Sequence, residues 1–254
     1  MSEIVRSAAR VLDLLEYFAA NPGSVSLAEV SGAFAMPKSS ALGLLRTLCS
    51  RGYVLRDEQG QYALNEVFRA QGFGWGGSSL ARLMAMAHPM MQALTAEVGE
   101  TTCFGALADT GQVRLLMECL SPNPLRYEMT VGRLIPLHCT AMGRMVLSAM
   151  SRPEREALLA LHPIKAMTPF TITDLPGLHA EMDRARDQGY CVVIEEHERG
   201  GTGISAPVRD AHGAAVGIVN VACVSVRYQD KQKEITRALH DTVSELERRF
   251  QLPI

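Results

Sequence analysis

Ile4, Ala8, Val11, Leu12, Leu15 and Phe18 recur at three- and four-residue spacing, the period of one amphipathic helix. The pattern stops at 21–24, where Pro22 and Gly23 cannot continue a helix. Ser26 is followed three residues on by Glu29, a capping-box spacing that starts a second, short helix. Pro37 suits the first turn of a third helix, where its missing N–H has no partner to lose. Leu42, Leu45 and Leu48 give that helix a buried stripe, and Gly52 is its stop. "YVLR" and "QYALN" then alternate as two strands around a turn at 57–60. Helix, short helix, helix and hairpin follow in the order of a winged helix-turn-helix, whose third helix lies in the DNA major groove.

The pattern changes after "EVFRAQGFGWGGSSL", whose glycines at 72–77 surround the single tryptophan, Trp75. Such a stretch reads as a hinge. Leu83, Met86, Met90, Leu94 and Val98 predict a helix bent or restarted at Pro89. "TTCFGALADTGQVRLLMEC" predicts two strands turning at 109–111. "HCTAMGRMVLSAM" predicts a helix, and Ser151 with Glu154 caps a short one. "DLPGLHAEMDRARDQG" predicts a helix stopped by Gly189. "YCVVIEE" reads as a strand, "GISAPVRDAHGAAVGIVNVACV" as a strand pair, and 231–250 as a closing helix. Strands joined antiparallel with helices between them give an α+β class, one sheet with helices on a face. The expected organisation is a DNA-binding domain at 1–66, a linker at 67–80 and a larger domain at 81–254.

Composition narrows this picture. The chain has 254 residues, 47 % of them apolar and 20 % charged, an ordinary soluble profile with room for two domains. No apolar run approaches a membrane span, and the first residues carry acids inside the apolar pattern with no cleavage-like site. A cytoplasmic location with no membrane partner is expected. The six cysteines form no C-x-x-C pair, so they read as small core residues. Net charge is −2, yet Lys38, Arg46, Arg51 and Arg56 occur between 36 and 56 without an acid. A helix start with free N–H groups, a lysine and two hydroxyls suits phosphate or base oxygens; the bland alternative is that Ser39 and Ser40 only cap the helix.

Several polar clusters invite a catalytic reading and fail it. "EEHE" at 195–198 would alternate across a strand and supplies too few convergent metal ligands; it reads instead as a polar loop over a ligand pocket. His138 and Cys139 are neighbours in sequence with no third orienting residue. "GGTG" at 200–203 lacks the lysine of a phosphate loop and reads as a mobile lid or turn. No catalytic residue, cofactor or metal is expected, and the protein is not read as an enzyme.

Residues 5–65, with the Ser7, Arg10, Leu12 opening, "SLAEV", "PKSS" and "GYV…YAL", resemble the DNA-binding domain of the IclR family of bacterial transcription regulators. "LIPLHCTAMGRMVLSAM", "FTITDLPGLHAEMDRARDQGY" and "EEHERGGTGISAPVRDAHG" extend the resemblance to about Phe250. It implies an α+β protein: a winged helix-turn-helix joined by a linker to a GAF-like, antiparallel-sheet effector domain. It also implies a homodimer or homotetramer acting on a roughly palindromic double-stranded operator. The expected DNA contacts are Ser26, Lys38, Ser39, Ser40, Arg46, Thr47 and Arg56. One departure is Gly43, where the family usually carries arginine; Arg46 is the candidate substitute.

The resemblance further implies a small-molecule effector, an organic acid. The expected pocket lies at the start of the "HCTAMG" helix, with Cys139, Thr140, Ala141, Met142 and Gly143 offering N–H groups to a carboxylate. Opposite walls are expected from Met129, Val131, Leu134, Val193, Gly203, Ile204, Asn220 and Ala222. Val193 and Gly203 stand where the family often has a polar residue and a cysteine. Together with the methionines they point to a larger, more apolar ligand such as an aromatic acid. The alternative left open is a sensor or enzyme whose winged helix contacts protein.

Overall fold

The computed structural model describes residues 5–66, 68 and 79–251. By internal packing the chain divides into two compact units, Met1–Met86 and Ala87–Ile254. The hinge expected at 72–77, with Trp75, lies outside the described residues.

In the first unit, α1 (Arg6–Ala20), α2 (Leu27–Ala33) and α3 (Lys38–Ser50) are followed by β1 (Val54–Arg56) and β2 (Tyr62–Leu64). The strands pair antiparallel, and Val25 adds a bridge to Tyr62. The capping box forms as expected: Glu29 N–H donates to Ser26 Oγ at 3.2 Å, and Ser26 N–H to Glu29 Oε2 at 2.7 Å. The turn into α3 is tight enough to put Ala35 at φ 44°, and Ser31 Oγ ties it down on Met36 O at 2.7 Å. Leu14, Leu15, Phe18, Val30, Leu45, Leu48 and Val54 form the core. One expectation fails here. Leu12 is 47 % exposed and Leu14 is buried in its place, because both fit a 3.6-residue period and only packing chooses between them.

Ala81 and Ala85, at the start of α4 (Ser79–Val98), belong to this same core. Asn65 Nδ2, fully buried, donates to Gly52 O at 3.0 Å and Ala85 O at 2.8 Å. Gly52 stands at φ 74° with Met86 N 3.1 Å from where a Cβ would be, so the stop after α3 needs glycine for conformation and for space.

The second unit is built on a six-stranded sheet in the order β5-β4-β3-β8-β7-β6, all neighbours antiparallel. Its strands are β3 (Thr101–Leu107), β4 (Val113–Cys119), β5 (Leu134–Ile135), β6 (Cys191–Ile194), β7 (Gly201–Arg209) and β8 (Ala215–Val224). α5 (Ala141–Ser148), α6 (Arg152–Leu161) and α7 (Leu175–Gln188) lie between β5 and β6, and α8 (Ser225–Phe250) closes the unit. α5 and α8 both pack on β7 and β8. Alternation along those strands sends Gly203, Ser205, Asn220 and Ala222 to one face and Ile204, Val219 and Val221 to the other. Helices therefore cover both faces rather than one. α4 runs through Pro89 without restarting, and α8 begins six residues before the expected Lys231. Gly201–Gly203 is the start of β7, not a lid, while Gly200 at φ 82° makes the turn before it.

Candidate functional site

The start of α3 is the first candidate. Pro37 is its N-cap and offers no side-chain cap, so Ser39 and Ser40 do not close the helix end. Lys38 and Ser39 are exposed and Ser40 is half-buried. Arg46 and Thr47 lie about two turns on, exposed, with Thr47 Oγ1 donating to Gly43 O at 3.0 Å. Arg56 projects from the wing, 5.7 Å over the Tyr62 ring. Ser26 differs from these: its hydroxyl belongs to the α2 capping box. The exposed cations and the open helix end share the first unit, and the bare N–H groups of the first turn are the positive end of its dipole.

The second candidate is a cavity of about 490 Å³, counting space that continues into solvent, at the N-terminus of α5. The sequence orders this helix end in detail. Thr140 is the N-cap: its hydroxyl donates to Pro136 O at 2.6 Å and accepts from Gly143 N–H at 3.0 Å. The N–H groups of Ala141 and Met142 have no acceptor among the described residues. Gly203 faces them from β7. A Cβ there would lie 3.3 Å from Ala141 Cβ, 3.3 Å from Asn220 Oδ1 and 3.9 Å from Ala141 N, so the glycine holds open the gap between α5 and Asn220. Asn220 is only 4 % exposed. Its Oδ1 accepts from Ser205 Oγ at 2.8 Å, and its amide nitrogen donates to no described group.

Met129, Cys139, Thr140, Ala141, Met142, Val193, Gly203, Asn220 and Ala222, all expected from sequence, line this cavity. Four expected residues do not. Val131 is 55 % exposed in the loop before β5. Leu134 is one residue out of phase: Ile135 pairs with Val113 and points inward, so Ile135 lines the cavity. Ile204 faces the opposite side of the sheet from Gly203. Gly143 lies behind the wall. A Cβ on it would approach Leu137 Cα at 2.4 Å and Pro136 O at 2.5 Å, so its role is close helix packing.

Tyr127, His197, Glu198, Gly201 and Thr202 complete the lining and are not among the pocket residues named from sequence. The sequence reading of "EEHE" as a polar loop over the pocket points to two of them, and 195–198 is loop rather than strand. Tyr127 lies over Gly201, whose added Cβ would fall 1.9 Å from its hydroxyl oxygen, and that hydroxyl donates to Glu198 Oε2 at 3.1 Å. Glu196 turns away to the buried guanidinium of Arg144, which donates to it through both Nη atoms. His138 bonds Lys165 O instead of Cys139. Cys139 Sγ lies 3.7 Å from His197 Nδ1. Burial pushes the Cys139 thiol up to about 11. Burial, then the nearby Arg133 charge, lowers the His197 pKa. Both side chains are therefore neutral at pH 7, which leaves no thiolate nucleophile here. Burial and Glu198 raise the Tyr127 pKa, so the phenol stays a donor. No group of three or more His, Cys, Asp and Glu among the described residues is placed to hold a metal ion.

One unit thus has the fold of a winged helix-turn-helix and the other a donor-lined cavity of small-molecule size. The chain belongs to the IclR family of bacterial transcriptional regulators: residues 79–248 match the IclR C-terminal family and residues 7–58 match the IclR helix-turn-helix domain. It is 27 % identical over 252 residues to the Pca regulon regulatory protein of Pseudomonas putida, covering 99 % of this chain and 81 % of that one. It is 27 % identical over 250 residues to the p-hydroxybenzoate hydroxylase transcriptional activator of Acinetobacter baylyi, covering 96 % and 91 %. It also resembles the crystal structure of a double mutant of the PobR inducer-binding domain from Acinetobacter in complex with 3-hydroxybenzoic acid. That match has a TM-score of 0.58 and 28 % identity, and covers 63 % of this chain and 95 % of that one. No helix among the described residues is long and apolar enough to cross a membrane.

Proposed function

We propose that this regulator binds a roughly palindromic operator through α3 and the wing, as a homo-oligomer, and that a small organic acid, preferably aromatic, sets its operator affinity. The observation that carries the effector half is Asn220 with the α5 N-terminus: the Asn220 amide nitrogen and the Ala141 and Met142 N–H groups, without acceptors among the described residues, border one cavity. A carboxylate there finds hydrogen-bond donors to accept from and also gains from the helix dipole. Ile135, Met129, Met142 and Val193 supply the apolar walls a ring requires. The hydroxybenzoate names of two relatives agree with that chemistry.

Lys38, Ser39, Ser40, Arg46, Thr47 and Arg56 are the residues proposed at the DNA, with Ser26 positioning α2. The ligand acts by favouring one arrangement of the DNA-reading domains over another. A coupling of about 1–3 kcal/mol changes operator affinity about 5–150-fold.

Titration calorimetry with benzoates and with two- and three-carbon acids tests the effector. Heat from the short acids alone would overturn the aromatic preference. Electrophoretic shifts of the protein's own upstream DNA test the rest. Lys38→Ala with Arg46→Ala should abolish the shift and leave acid binding intact; an undiminished shift would remove α3 from the interface.

A further inference from the structure

The cavity is chemically asymmetric along β7. Gly201, under Tyr127, lies at the loop end, and Gly201 N–H donates to Glu198 O at 3.2 Å. Gly203, two residues on, faces Ala141 and the Asn220 side chain at the other end. At about 3.3 Å per residue, roughly 7 Å of strand separates the two ends, about the span of one ring with a substituent at each side. The Asn220 end is buried and presents donors. The Glu198 end is at the surface: Glu198 is exposed, Tyr127 and His197 are half-buried. Among the described residues, Glu198 carries the only formal charge in the lining, and no Arg or Lys lines the cavity.

We infer that the effector enters carboxylate first and that Glu198 reads its far end, accepting a hydroxyl or amino donor there and rejecting a second carboxylate. This rests on the acid-binding role proposed above. The Tyr127 hydroxyl now occupies Glu198 Oε2, so a ligand donor either replaces it or takes the other carboxylate oxygen. A distal carboxylate meets a like charge with no cation on the wall to offset it, which is selection by repulsion. Arg133 is exposed, stands near His197 and lies outside the lining, so solvent screens its attraction.

Calorimetry on the full chain with benzoate, 4-hydroxybenzoate, 4-aminobenzoate and terephthalate provides the test. The hydroxy and amino acids should bind more tightly than benzoate, and terephthalate should bind about tenfold or more weakly than 4-hydroxybenzoate. Glu198→Gln should narrow that last gap, since a neutral amide no longer repels. Glu198 is on the surface, so this variant keeps its fold, which circular dichroism checks. Asn220→Leu should weaken all the acids, with the benzoate-to-hydroxybenzoate ratio unchanged. Acids that bind without discrimination, or a terephthalate gap that Glu198→Gln leaves unchanged, would overturn the inference and leave the effector reading standing. No heat from any of the four would overturn both this inference and the aromatic preference it builds on.

Discussion

Gly43 occupies the exposed surface of α3, and nothing lies within 4 Å of where its Cβ would project. A side chain there meets no obstacle, and glycine inside a helix costs about 1 kcal/mol against alanine. Gly43→Ala should therefore raise stability by about that amount in urea unfolding. Gly43→Arg should add a cation beside Arg46 and tighten promoter DNA binding; weaker binding would mean this face of α3 is not turned to DNA. His197 makes a second prediction. Its pKa is lowered by burial in the folded chain, so the unfolded chain binds the proton more readily. Stability is then unaffected well above the ordinary histidine range and is lost as pH falls through and below it. Unfolding midpoints at pH 7.5 and 5.5 should show this loss, and His197→Gln should reduce it.

Among the elements, α5 and the β6–β7 loop are joined by the Arg144–Glu196 pair. Arg144 is 1 % exposed, its Nε donates to His138 O at 2.7 Å, and Glu196 also accepts from Ile172 N–H at 2.9 Å. Removing one partner strands a buried charge. Glu196→Ala should cost about 3–5 kcal/mol and weaken acid binding, because His197 and Glu198 follow it directly in the loop. An unchanged thermal midpoint would contradict that role. Element existence was largely legible from the sequence, since the Ser26–Glu29 and Ser151–Glu154 boxes and the Gly189 stop are local signals with local causes. The cavity was legible where it sits on α5, because a helix N-terminus is visible in sequence. It failed where one residue of strand phase decides the face, as with Leu134 for Ile135 and Ile204 beside Gly203. Tyr127 and Glu198 come from loops, whose positions no periodicity encodes.

For the whole molecule, a net charge of −2 conceals the basic stretch around α3. If a dimer neutralises about eight phosphates, log K should fall against log salt with a slope of about −7. A slope near zero, measured by fluorescence anisotropy on promoter duplex, would exclude a phosphate-bound interface. Family membership and the α+β plan followed from many short motifs holding their order over the full length.

The six thiols have a practical consequence. All are free; Cys49 is partly accessible on α3, and Cys103, Cys119, Cys139, Cys191 and Cys223 are buried in the second unit. Burial also holds Cys191 and Cys223 at about 12, far above a free thiol. A maleimide followed by mass spectrometry thus becomes a built-in clock. Cys49 should be tagged first, reporting breathing of the reading helix, and the other five together as the sheet opens. An aromatic acid that stabilises the native sheet should slow the second wave and spare the first.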